Sequence, residues 1–200
     1  MKKYFITCFT LLMMVSHFSY AITLEQLQLQ FAQYPVTRAD FTQDRYIQGL
    51  SKPLHSTGKM IISKTLGLWW QQKTPFIMTL KMNDQRMEQQ IANQAPQIIT
   101  AQAQPQLFQF NSLLSAVFDA DKNTLEQNFT LTLSQQDKQW QLILHPKAAP
   151  LNKIFTQIEL SGTKYLSQII IDDKQHDKTI ITFTNHNTKP LTTDEKQLFQ

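Results

Sequence analysis

The stretch GKMIISKTLGLWWQQKTPFIMTLKM, residues 58–82, decides the fold. Its apolar side chains recur at every second position, the period of an extended strand whose neighbouring side chains point to opposite faces. In the strand opened by Gly58, Met60 and Ile62 share a face with Lys64. A turn around Thr65 to Gly67 leads into a second strand, in which Leu68 and Trp70 share a face and Trp69 is opposed. Lys73-Thr74-Pro75 turns the chain again, and Phe76, Met78, Leu80 and Met82 then fall together. Asn83-Asp84 is a further turn, after which RMEQQIA begins another strand. The spacing predicts consecutive hairpins with one strongly apolar face, rich in methionine and carrying a tryptophan.

Upstream, the period is different. Thr23 followed by LEQLQLQFAQY is an N-cap followed by Leu24, Leu27, Phe31 and Tyr34, which lie on one face of a helix that Pro35 ends. RADFTQDRYIQ then alternates Ala39, Phe41 and Gln43 against Asp40, Thr42 and Asp44, a strand. Downstream of Pro96, Leu107, Phe110, Leu114 and Val117 return to helical spacing, and Phe108, Leu113 and Phe118 widen the stripe. Strands resume at FTLTLSQ, WQLILHP, TQIELSG, YLSQIIIDD and KTIITFTN, and TTDEKQLFQ closes with a capped helical turn. About ten strands and two substantial helices result. A single strongly curved antiparallel sheet with helices over its concave face accommodates this order in a mainly β fold with some α.

The N-terminus carries a different signal. Lys2 and Lys3 precede an apolar run from Tyr4 to Phe18, and Ser19-Tyr20-Ala21 suits signal peptidase, so residues 1–21 are expected to be removed after Ala21. The apolar run is shorter than the roughly 20 residues of a membrane span. Residues 22–200 then form a single domain in the periplasm. Cys8, the only cysteine, leaves with the signal, which excludes disulfides, cysteine nucleophiles and zinc–thiolate sites in the mature chain. The 19 basic residues fall to 17 against 15 acidic, a net charge of +2, and the lysines are scattered. That pattern does not track a phosphate backbone, and nucleic acid is not an expected partner.

No catalytic motif emerges. With four glycines there is no phosphate-cradling loop or dinucleotide fingerprint, and neither a nucleophile elbow nor HExxH occurs. His55, His145, His176 and His186 fall near strand ends and turns and read as exposed. Asp172, Asp173 and Asp177 lack the ligand spacing of a calcium loop and read as a solvated turn. No cofactor, metal or catalytic residue is expected, and the chain is not read as an enzyme. Lys64 has two readings: a strand-end lysine snorkelling to water, or a charged latch at the rim of a cavity.

The succession of an N-terminal amphipathic helix, DFTQ, GKMIISK and GLWW…TP with a strand beginning FIMTL resembles the LolA family of periplasmic outer-membrane lipoprotein carriers. The family's F-x-Q strand, G-x-L, basic residue, tryptophan and proline match Phe41 and Gln43, Gly58 and Met60, Lys64, Trp70 and Pro75. The mid-chain segment followed by WQLILHPK looks like a LolA-related branch associated with polyene-lipid biosynthesis. The resemblance covers nearly the whole mature chain and implies an incomplete, half-open β-barrel lidded by helices. It also implies a monomeric carrier of lipoprotein or lipid acyl chains, with an inner-membrane donor complex and an outer-membrane acceptor protein as partners. The apolar residues Met60, Ile62, Leu68, Trp70, Phe76, Met78, Leu80, Phe110, Leu113, Leu114 and Val117 would line its cavity, with Lys64 as lid latch. Family carriers place an arginine at the latch, so a lysine there favours a specialised relative with another lipid cargo. The alternative is a non-transporting lipid-sensing or interaction domain of the cell envelope with the same fold.

Overall fold

The computed structural model describes residues 22–103, Phe108, Ala116 and residues 121–200. The expected signal segment lies outside the described residues, as do Phe110, Leu113, Leu114 and Val117.

Thr23 begins the first element as its composition predicts. Its hydroxyl accepts from the Gln26 amide while the Gln26 side chain accepts from the Thr23 amide, a reciprocal cap on helix α1 (Leu24–Ala32). Six strands follow: β1 (Val36–Tyr46), β2 (Leu54–Ser63), β3 (Gly67–Thr74), β4 (Met78–Met82), β5 (Arg86–Ile91) and β6 (Gln97–Thr100). Helix α2 (Lys122–Asn128) leads to β7 (Phe129–Gln136) and β8 (Gln139–Pro146). Helix α3 (Leu151–Ile154), β9 (Phe155–Gly162), β10 (Leu166–Asp173), β11 (Lys178–Asn187) and helix α4 (Thr193–Gln197) complete the order.

The eleven described strands form one antiparallel sheet in the order β6-β5-β4-β3-β2-β1-β11-β10-β9-β8-β7. The chain folds outward as a meander from β1 to one edge, crosses to the other edge, and returns to close against β1. Sequence neighbours β6 and β7 therefore occupy opposite edges.

Four details depart from the sequence expectation. Strand β2 begins at Leu54, not Gly58, because the polar run His55-Ser56-Thr57 pairs with β1 although it lacks apolar alternation. Lys64 lies in the turn after β2. Strand β6 is a short exposed edge that the sequence expectation does not include. After the stretch of helical spacing that begins at Leu107, Asp121 accepts from the amides of Asn123 and Thr124 and caps α2, a helix the sequence expectation does not set apart.

Alternation divides the sheet into two faces. On one, Ala39, Phe41, Met60, Phe183, Ile169, Leu160, Leu142, Leu144 and Phe129 are buried in a core joined by Leu24 and Leu27 of α1, Leu125 of α2, Leu151 of α3 and Ala116. On the other, Val36, Ile61 and Trp69 pack under Leu191, Leu198 and Phe199 of the C-terminal segment. Trp69 and Trp70 thus serve opposite faces, as period two requires.

The C-terminal segment is tied down by charge. Arg38 donates from Nε and Nη2 to the two carboxylate oxygens of Glu195 at 2.5 Å each, and to the carbonyls of Lys189 and Pro190 at 2.7 and 3.1 Å. These bonds, with the Thr192 amide, hold the Glu195 carboxyl at about 2, below its usual 4.5. A depressed folded pKa means that the contribution is complete above 4.5 and is lost as pH falls towards 2. Glu195→Gln is expected to cost about 1 kcal/mol at neutral pH, the scale of a partly exposed bidentate pair. It should also flatten part of the acid limb between pH 4.5 and 2. Urea unfolding at a series of pH values measures both, and an acid limb identical to wild type would remove the pair from the account.

Candidate functional site

Cross-strand pairing of Thr37 with Ile62 and Ala39 with Met60 sets a floor of apolar side chains beneath the C-terminal end of α1. Phe31 and Tyr34, with Lys64, Tyr165, Leu166 and His186, complete a pocket of about 50 Å³ around Thr37, Met60 and Ile62. The first wall is positioned by packing: Phe31 stands edge-on to buried Trp140 at 5.6 Å. The second is an aromatic stack in which Tyr165 lies 5.2 Å from Tyr34 and 5.0 Å from His186. His186 Nε2 is 2.8 Å from the Leu166 carbonyl, which can only accept, so that nitrogen carries the proton and donates.

Polar ties hold α1 over this floor. Gln30 Nε2 donates to the carbonyls of Thr163 and Lys164 at 2.8 and 3.0 Å, and Lys122 pairs with Glu25. The Lys164 ammonium sits 5.3 Å from the Tyr165 ring and 5.6 Å from the Tyr34 ring. Hydrogen bonding to Tyr165, then Tyr34, raises its pKa. No carboxylate lines the pocket. Among the described residues no three His, Cys, Asp or Glu side chains are grouped to hold a metal, and no helix is long and apolar enough to cross a membrane.

Met60 and Ile62 of β2 line this pocket together with Lys64 from the turn that follows the strand. Leu68, Trp70, Met78 and Leu80 share the same sheet face beyond it, through the pairs Ile62–Leu68, Met60–Trp70, Trp70–Leu80 and Gln72–Met78. The face continues through Met82, Met87 and Ile99, all half-buried. Trp70 itself is engaged in packing, stacked on Phe41 at 3.7 Å and edge-on to Phe183 at 6.4 Å.

Phe76 does not join that face. Strand β4 starts only at Met78, and Phe76 is 51 % exposed in the preceding turn. Tyr165, Leu166 and His186 carry no local signal linking them to Met60, and His186 lines the pocket instead of standing in an exposed turn. Asp177 is likewise buried, accepting from the Gln48 amide at 3.0 Å and from Arg45 at 3.3 Å.

A family model described as outer membrane lipoprotein carrier protein LolA-like matches residues 18–179. No curated protein sequence matches the chain. Among solved structures, the chain is similar to a LolA superfamily protein from Nitrosomonas europaea, with 8% identity and a TM-score of 0.49 over 90% of this chain and 98% of that one. It is similar to a protein domain from Vibrio parahaemolyticus described as outer membrane lipoprotein-sorting, with 9% identity and a TM-score of 0.40 over 88% and 98%. The Pseudomonas aeruginosa MucA/MucB complex matches at 16% identity and a TM-score of 0.40 over 86% of this chain and 58% of that chain.

Proposed function

The chain belongs to the outer membrane lipoprotein carrier protein LolA-like family, and from that premise we propose that it is a periplasmic carrier. Its apolar sheet face binds acyl chains of lipoproteins or lipids and delivers them toward the outer membrane. One observation carries this reading: a face free of carboxylates runs from Met60 and Ile62 through Leu68 and Trp70 to Met78, Leu80 and Met82. Acyl chains have no directional groups, so a carrier needs adaptable apolar surface, which methionine and leucine supply. Each methylene transferred from water contributes about 0.8 kcal/mol, enough for a few chains to be held without specific chemistry.

The pocket under α1 holds about 50 Å³, room for a few waters and not for an acyl chain. Loading therefore requires the helices on this side to move, as lids over a half-open barrel. Lys64, in the pocket wall, acts as the latch by donating to backbone carbonyls of the segment after Pro96. Lys64→Leu would leave those acceptors unpaired and populate the open form. Lys64→Arg, with a planar fork of donors, would favour the closed form. Transfer of labelled lipid to an acceptor is expected to be slowed by arginine and to differ again with leucine. Three equal rates would make Lys64 an ordinary surface lysine.

Residues 1–21 direct export and are removed, so that the working chain begins at Ile22, acts as a monomer and receives cargo from an inner-membrane donor. Mass spectrometry of lipids copurifying with this mature chain tests the carrier reading directly. A stoichiometric acyl lipid is expected. Protein that is lipid-free when isolated from the periplasm, and takes up none from donor membranes, would favour the non-transporting interaction domain.

A further inference from the structure

Antiparallel pairing brings the β1–β2, β3–β4, β5–β6 and β10–β11 hairpins, with the α3 connection between β8 and β9, to one end of the sheet. Hydrogen bonds donated by backbone amides hold neighbouring tips together. The Gln48 amide donates to Asp177 Oδ1 at 3.0 Å, the Ala92 amide to the Ile77 carbonyl at 2.8 Å, and the Lys174 amide to the Ile154 carbonyl at 2.9 Å.

Of nine large apolar side chains exposed among the described residues, seven lie at this end, with Leu50, Leu54, Phe76, Ile77 and Ile154 each at least half exposed. The turns at the opposite end, around Thr65, Asn83, Asp137 and Thr163, hold none of the nine. Lys52, Lys73, Lys153 and Lys174 stand exposed on the apolar tips, among carboxylates that are engaged: Asp44 with His55, Asp172 with Lys178, Asp177 with Arg45, and Asp173 with the Gln175 and Asp177 amides. Lys64, Lys138, Lys164 and Lys196 are exposed at the opposite end, so what distinguishes this end is lysines set among exposed apolar side chains.

We propose that this end of the sheet docks on an anionic lipid surface. Separate tips carrying phenylalanine, isoleucine and leucine can enter the headgroup–acyl boundary one by one, and the lysines between them meet lipid phosphates. A protein partner would instead need one contiguous surface of matching shape. The lysines make an anionic membrane the complementary occupant. Docking is measured on the isolated chain and so stands apart from the carrier reading.

The test is co-sedimentation of the mature protein with vesicles of phosphatidylglycerol and phosphatidylethanolamine, and with vesicles of phosphatidylcholine alone. Binding to the anionic vesicles is expected, weakened by high salt. Phe76→Ser with Ile77→Ser should lower it about tenfold, as loss of two inserted side chains predicts. Lys52→Glu with Lys174→Glu should lower it on anionic vesicles in particular. Leu29→Ser, which removes an exposed leucine elsewhere, should match wild type. Circular dichroism and urea midpoints establish that each variant is folded. Wild type that ignores vesicles, equal binding to both vesicle types, or folded tip variants that bind like wild type would each overturn the proposal. So would self-association lost in the Phe76 and Ile77 variant without vesicle binding, which would assign this end to a second copy.

Discussion

Gly58→Ala is expected to lower the unfolding free energy by about 3 kcal/mol or more, the upper range for forcing atoms into a packed core. A Cβ at this position would lie 2.0 Å from the Gln71 carbonyl oxygen and 2.6 Å from two ring carbons of Phe41. Neither neighbour can yield cheaply. The carbonyl belongs to β3, which pairs with β2 on either side of a register shift between Thr57 and Gly58. The ring is buried and stacked on Trp70 at 3.7 Å. Strand β2 is flanked by β1 and β3, so relieving the clash means parting two ladders. Urea unfolding followed by tryptophan fluorescence measures the loss, and an unchanged midpoint would show that the sheet can open there without cost.

The second large effect concerns cargo. Leu80→Glu is expected to reduce copurifying acyl lipid at least about tenfold, because a carboxylate on that face must stay solvated or be buried at several kcal/mol. Leu80 is half-buried, opposite Trp70 and Gln89, so the fold should tolerate the charge. Thr79→Glu, on the other face of the same strand opposite Gln71 and Gln90, is the matched control. Lipid would be extracted from each purified variant and quantified per mole of protein by mass spectrometry. A folded Leu80→Glu protein with its lipid content intact would show that the cavity lies elsewhere.

Much of this architecture is legible one strand at a time. The alternation of Met60, Ile62, Leu68, Trp70, Met78 and Leu80 depends only on the pleat, and hairpin pairing keeps those residues on one face. Thr23 and Thr192 announce their helices because a cap is a bond over three residues. Phe76 shows the limit of the same rule, since period two reads straight through a turn that ends the strand phase before Met78. Polar strand ends such as His55 to Thr57, and the exposed edge β6, escape because their side chains show no apolar alternation that would mark them as strand.

The sequence by itself determined the mainly β character, the apolar face, the absence of a motif for acid–base chemistry and, through the order of its motifs, the family. All of these rest on interactions within a few residues or on composition. Only the tertiary structure decided that β11 returns to pair with β1, which carries His186 and Tyr165 across more than a hundred residues to Phe31, Met60 and Lys64. It alone decided that the tips bearing Leu50, Phe76, Ile77 and Ile154 gather at one end. The physical reason is the same in both cases: closure of the sheet is a sum of distant backbone pairings, and no local pattern records which strand a distant strand will meet.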